Sequence, residues 1–460
     1  MSMTEEEFQK LYVQVPVPDE LVKVLMAAET MWQFDVLEGI IEAPTMTLDG
    51  AIIDQPGYNR EIGLFYDPRN VPQMKPIGTT PAAAIAGLAK IHDALDEFPF
   101  ADNVEDGEVE GQSRSVAVSA ILTAPIRRVL GICPIFLIDA PTASTGKTLL
   151  ADVIAAIPTG RGAGATTWAG DTAEQRKVIT SILLAGDLVV NFDNVTAPIG
   201  GAEICKVTTA AASFKDRLLG SSKMLELPTC TMWIFTGNNM TVKDDTATRV
   251  VRIRLDAGLE NPEKRVFKRA DLIKYILEQR GELLHACLTI LRAYIVAGKP
   301  LVSVTGKPFK VSSRFNEWSS LIAAAMCWLD QPDPLGSQAS VIGEDPVKET
   351  HRNIMSAWQD AFGLDAWVTA KQLLADDGGD LSYEADRAAG KVFAAIQEIE
   401  AGGKAPSAIA MKLKTFENKI VDGMKLKKRK ADRAKHISAA WMLVEVGQPV
   451  QPVTTEEPWD

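Results

Sequence analysis

Residues 134–160 constrain the fold more than any other stretch. Pro134-Ile135-Phe136-Leu137-Ile138-Asp139-Ala140 is followed by Pro141-Thr142-Ala143-Ser144-Thr145-Gly146-Lys147-Thr148, and then by an apolar helical run, 149–157, stopped by Pro158-Thr159-Gly160. A continuously apolar strand that turns through a short loop into a helix is buried on both faces, which calls for an α/β architecture with helices packed on a parallel sheet. The turn also makes a nest of backbone N–H groups at a helix N-terminus, a ready anion site. Ending in Gly-Lys-Thr, it reads as a phosphate-binding P-loop: Thr142, Ala143, Ser144, Thr145, Gly146, Lys147, Thr148 and Leu149 are the candidate nucleotide-binding residues. Lys147 would reach the β/γ-phosphates of ATP and Thr148 would hold Mg2+. Pro141 stands where the pattern GxxxxGK[ST] has glycine, a change the loop tolerates if that position takes negative φ and donates no hydrogen bond.

Two further apolar runs end in polar residues. Leu188-Val189-Val190-Asn191-Phe192-Asp193-Asn194 follows a helical stretch, 173–184, and a Gly186-Asp187 turn. An acid ending a strand beside a P-loop orders the metal, so Asp193 is the second candidate metal ligand and a candidate catalytic group. Its neighbour Asn194 can orient water but cannot take a proton. Either Asp193 serves both roles, another carboxylate such as Glu174 comes in, or turnover is slow. Thr231-Met232-Trp233-Ile234-Phe235-Thr236-Gly237-Asn238-Asn239 is the third run. In a parallel sheet it ends on the same rim, where Asn238 could hold the attacking water or the γ-phosphate. Arg249 precedes the next strand, free to project as an arginine finger or to pair with Asp244 or Asp245. Alternation puts Arg252 and Arg254 on a polar strand face.

Charge is unevenly distributed. The net charge of −12 argues against coating of nucleic acid by bulk charge. From Lys404 to Lys435, however, eleven Lys and Arg face three acids, a local excess of eight that is the footprint of contact with a nucleic-acid backbone or of a solvated face. Phe214 to Pro228, two short runs about Gly220-Ser221-Ser222, reads as a β-hairpin with Lys215 and Arg217 on one arm and Lys223 near its tip. These three could touch DNA, or be ordinary surface charges. The five cysteines form no CxxC pair, and the longest apolar runs fall short of a membrane span, so no membrane association and a cytoplasmic location are expected.

Composition shifts divide the chain. Residues 1–112 read as a small β-containing region closed by a helix over about 80–96. Residues 101–113, with five carboxylates, mark a solvated boundary. Residues 113–260 form the P-loop core, and 261–345 a helical subdomain with amphipathic helices over 263–300 and 314–329. Residues 346–448 form a winged-helix-like basic module, with helices near 348–362, 368–375 and 405–418 and a strand over 441–446. Residues 449–460, rich in proline and acid, form a disordered tail.

The order of these signals resembles superfamily 3 helicases, a branch of the AAA+ ATPases. The stretch from about 15 to 335 looks closer to the helicase part of phage and prophage primase-helicase proteins. The residues that carry the likeness are Phe34-Asp35-Val36-Leu37-Glu38-Gly39-Ile40-Ile41, Asp216-Arg217-Leu218-Leu219-Gly220, Thr236-Gly237-Asn238-Asn239, Asn261-Pro262-Glu263 with Arg265 and Phe267, and Glu317-Trp318-Ser319 with Trp328-Leu329 and Asp333-Pro334. The resemblance implies an AAA+ P-loop sheet with an N-terminal collar, assembled as a homo-hexameric ring. ATP and Mg2+ would lie between subunits: Lys147, Thr148, Asp193 and Asn238 on one side, Arg249 from the neighbour, and the hairpin gripping single-stranded or forked DNA. It further implies a phage or mobile element in a bacterial host cell. Because relatives carry a primase-polymerase domain before the collar, a separately encoded primase or polymerase is an expected partner.

Overall fold

The computed structural model describes residues 17–28, 34–68, 71, 74–102, 104, 108–210, 213–217, 224–310, 315–344, 346–374, 392, 394, 396, 406–431 and 438–446. Its centre is a six-stranded sheet. The strands are β1 (Phe100–Ala101), β2 (Ile135–Ala140), β3 (Ala165–Thr166), β4 (Val189–Val195), β5 (Met232–Asn238) and β6 (Val250–Leu255), in the spatial order β1-β6-β2-β5-β4-β3. All neighbours are parallel except the edge strand β1, which runs against β6.

Every residue of β2 is buried, because the sheet is covered on both sides. Phe136, Ile138 and Ala140 face one core; Ile135 and Leu137 face another. On the first face pack α1 (Pro81–Ala94), α2 (Gln112–Ile126), α3 (Lys147–Thr159), α6 (Leu272–Glu278) and α7 (Arg280–Val296), together with the helical segments Asn316–Trp318, Ser319–Ala323 and Ala324–Trp328, the middle one a π turn. A single core thus runs from Ala43 to Leu335. The second face is covered by α4 (Thr172–Ala185) and α5 (Ala202–Thr209) around an aromatic cluster in which Trp168 sits edge-on to Phe192 and Phe235 at 5.0 and 5.1 Å. No helix among the described residues is long and apolar enough to cross a membrane.

Several expectations need correction. The described residues of 101–113 are tied to the fold at several points rather than solvated throughout. Ala101 pairs in the sheet, Asp102 accepts from Gly111 N and Ser113 N at 2.7 and 2.8 Å, and Glu108 is 3% exposed. Its partner is Arg252, itself 2% exposed, which also meets Glu344 at 2.6 Å, so this strand arginine is buried in an ion network rather than solvated. Residues 263–300 are not one helix: 265–270 run as irregular chain, Asp271 caps α6 by accepting from Lys274 N at 2.9 Å, and Gln279 separates α6 from α7. The helix α3 ends at the expected stop Pro158-Thr159-Gly160, running through Pro158 to Thr159 and closing at Gly160, whose φ is 72°.

The N-terminal residues form a three-stranded sheet of Gly39–Ile41, Leu64–Tyr66 and Gly57–Asn59, plus the pair Thr45–Met46 and Ile52–Ile53. The C-terminal module has its own core, built from α8 (Pro346–Phe362), α9 (Pro406–Phe416) and a sheet of β7 (Ile420–Val421), β8 (Met424–Arg429) and β9 (Ala440–Glu445). Val368, expected in a helix, instead bridges to Trp441, and among the described residues up to 374 a short 3-10 turn, Gln372–Leu374, follows it. The tail 449–460 lies outside the described residues.

Candidate functional site

The carboxyl ends of β2, β5 and β4 lie side by side on one rim because the three strands are parallel and adjacent. Asn238 is the register partner of Ala140, and Asn239 N donates to Ala140 O at 3.1 Å, so the loop 141–146 starts beside the exposed amide end of β5. Ser144 and Gly146 take left-handed φ values of 60° and 96°. A Cβ at 146 would in addition crowd the Phe98 ring at 3.3 Å, which would have to give by a few tenths of an ångström.

The helix that follows the loop has no side-chain cap, whereas α4 is capped by Asp171 accepting from Glu174 N at 3.0 Å. The first-turn N–H groups of α3, from Lys147 to Leu149, are left facing the loop at the positive end of the helix dipole. Lys147 Nζ donates to Thr142 O at 3.0 Å and to Thr145 Oγ1 at 3.3 Å, which arches the side chain over the loop. Burial lowers its pKa, opposed by the negative charges of Asp139 and Asp193.

Asp193 is joined to the loop. Its Oδ1 accepts from Thr148 Oγ1 at 2.9 Å and from Thr236 Oγ1 at 2.6 Å. Thr236, 1% exposed, is the residue that sequence reasoning missed. Its signal was a lone hydroxyl inside an otherwise apolar strand run, one residue before Gly237. Asn194 follows Asp193 in a β-bulge: pairing of β5 with β4 runs Phe235 to Phe192 but Gly237 to Val195, leaving an extra residue in β4. Asn194 takes φ 51° there and its side chain is exposed. The bulge explains Gly237 as well, since a Cβ would come within 2.5 Å of Val195 O. Glu174, considered as an additional acid, pairs with Lys177 on the exposed first turn of α4.

A cavity of about 540 Å3 opens beside the loop, lined by Phe98, Gly146 and Leu149 on one side and by Phe267, Leu272 and Ile273 on the other. Its far wall is the irregular segment before α6, where the Arg265 guanidinium lies 5.1 Å from the Phe267 ring centre. The residues that interrupt the expected long helix therefore form part of a pocket.

Arg249 does not project freely. It ends a 3-10 turn, Asp244–Arg249, and forms an ion pair with Asp245. The hairpin is formed by Ser213–Arg217 and Met224–Pro228; residues 218–223, with Lys223, lie outside the described set. Asp216 turns inward and is 2% exposed, paired with Arg176 and accepting from Thr180 Oγ1 at 2.6 Å. The Arg176 guanidinium holds its carboxyl down to about 2, and the tip-ward end of this arm is tied to α4. Lys215 and Arg217 alternate to the exposed face, where Lys215 meets Glu226 at 3.3 Å.

No family model matches the chain, and no curated protein matches it. Among solved structures it is similar to the apo A form of the NrS-1 C-terminal region, at 12% identity and TM-score 0.40, covering 94% of this chain and 91% of that one. A second apo structure of that region covers 84% and 80% at 10% identity and TM-score 0.37. JCV helicase, bound to a thiazolopyridine acetamide, covers 58% of this chain and 74% of its own at 15% identity and TM-score 0.21.

Proposed function

We propose that this chain is an ATP-dependent, ring-forming DNA helicase or translocase of the superfamily 3 AAA+ type, serving replication of a phage or mobile element. The observation that carries the reading is the joining of Thr148 and Asp193 at 2.9 Å beside the uncapped N-terminus of α3. A hydroxyl and a carboxylate are hard oxygen donors, the set that suits Mg2+ when phosphates supply the remaining ligands. Thr148 and Asp193 would hold the metal, whose positive charge would offset the negative charge developing on the phosphates.

The chain's own residues would divide the work as follows. Lys147 and the first-turn N–H groups of α3 hold the phosphates, and Thr236 fixes the Asp193 carboxylate. Asn238, on the rim beside the loop, orients the attacking water. Asn194 offers only an amide, so the proton falls to Asp193 and turnover is slow. The cavity lies in the size range of small-molecule pockets, and its apolar walls with Phe98 and Phe267 suit a nucleobase. In a ring, Arg249 would leave Asp245 to reach the neighbour's nucleotide, and Lys215, Arg217 and Lys223 of the hairpin would line the pore.

The test is strand displacement from a forked duplex. Wild type separates the strands with ATP and Mg2+, and neither Lys147→Ala nor Arg249→Ala does so alone. Mixing the two variants restores part of the activity, since mixed rings contain complete sites between subunits. A chain that hydrolyses ATP yet moves no strand, with turnover indifferent to DNA, is an ATPase that remodels a protein partner instead.

A further inference from the structure

The C-terminal module carries charge that the nucleotide site does not use. In β8 and β9, Leu426 pairs with Leu443 and Lys428 with Trp441. Leu426, Leu443 and Trp441 belong to the module's core, so alternation turns Lys425, Lys427 and Arg429 to the opposite face, about 7 Å apart. Val368 extends this sheet by exchanging hydrogen bonds with Trp441, both at 2.8 Å, which sets Trp367 on the same outer face. The Arg429 guanidinium lies 4.9 Å from the centre of the Trp367 ring, and Trp367 is 37% exposed. Among the described residues no carboxylate pairs with Lys425, Lys427 or Arg429; the nearby Asp422 is held by Arg352 at 2.7 Å.

We infer that this face binds a single DNA strand, with Lys425, Lys427 and Arg429 on its phosphates and Trp367 stacking a base. A row of like charges without counter-charges repels itself, and a polyanion relieves that repulsion. An exposed ring at the edge of such a row is the combination that holds single strands, because every base offers a face to stack on. This face acts without nucleotide and so stands apart from the hydrolysis site.

The experiment is fluorescence anisotropy of labelled single-stranded and duplex oligonucleotides with the full chain carrying Lys147→Ala, without nucleotide, over a range of salt. Replacing Lys425, Lys427 and Arg429 together by alanine is expected to flatten the log–log salt slope by about 2, three contacts at about 0.7 each, and to weaken single-strand binding about tenfold. Trp367→Ala should weaken single-strand binding about fivefold or more, leave the salt slope unchanged and spare the duplex. An unchanged slope and affinity in the triple variant would overturn the inference. Equal losses of single-strand and duplex binding in Trp367→Ala would overturn the choice of a single strand. If the triple variant fails to fold, Lys427→Ala alone should lower the slope by about 0.7. Because this assay uses no nucleotide, failure of ATP-driven strand displacement by wild type would refute the helicase reading and leave this result standing.

Discussion

Thr236→Val isolates one hydrogen bond at the centre of the proposed metal site. Asp193 Oδ1 accepts from Thr148 and Thr236, and with Thr148 serving as a metal ligand only Thr236 would be left to hold the carboxylate. Valine preserves the branched shape and the buried volume, so the change removes the hydroxyl and little else. With Thr236 1% exposed, no solvent reaches in to replace it. A hydrogen bond to a charged group is worth about 1.5–3 kcal/mol, or roughly 10- to 150-fold. Loss of a partner that orients a metal ligand costs about 10- to 100-fold in metal affinity or activity. We therefore expect the Mg2+ concentration for half-maximal ATP hydrolysis to rise about 10- to 100-fold. Binding of a fluorescent ATP analogue in chelator should change less than about twofold, because the phosphate cradle is untouched. Thr236→Ser should restore the wild-type Mg2+ dependence. A Thr236→Val enzyme whose Mg2+ dependence and kcat match wild type would refute the role given to this hydroxyl.

Three other changes test the framework around the site. Gly237→Ala puts a methyl 2.5 Å from Val195 O and should cost about 1–3 kcal/mol in urea denaturation while disturbing the bulge that carries Asn194; an unaltered midpoint would contradict that packing. Glu108→Ala leaves Arg252 with Glu344 alone and should cost about 3–5 kcal/mol, read the same way, whereas a loss below about 1 kcal/mol would mean the buried pair contributes little. His351 is pushed down to about 4 by burial, with the charge of Lys419 acting in the same direction. Its neutral form is the folded one, so its contribution is complete above pH 6.5 and is lost as pH falls toward 4, by about 3 kcal/mol in all. Unfolding of the module, followed by tryptophan fluorescence, should depend less on pH in His351→Leu than in wild type; identical dependence would exclude His351 as the cause.

What was legible in the sequence follows from how local the signal was. The strands ending at Ala140, Val195 and Asn238 were each written as largely apolar runs with polar residues toward the carboxyl end, because a sheet covered on both faces is apolar through most of its length. The helices 81–94, 172–185, 346–362 and 406–416 stood within a few residues of their expected limits, since caps and periodicity lie in the segments themselves. Contacts across distance were not legible. Five carboxylates made 101–113 look solvated, and nothing in that stretch pointed to Arg252, 144 residues away. Thr236 gained its role from a strand 43 residues earlier. Amphipathic periodicity ran on through 265–270, where the chain in fact leaves the helix to wall a cavity. The pairing of Arg249 with Asp245 was one of two readings that spacing left open.

Steady-state ATP hydrolysis by wild type and Lys147→Ala, each with and without single-stranded DNA, tests the central claim most directly. The account predicts slow turnover in wild type that DNA accelerates, abolished in Lys147→Ala under both conditions. ATP binding with no turnover in any condition would contradict it, and would make the chain a nucleotide-locked structural protein rather than a motor.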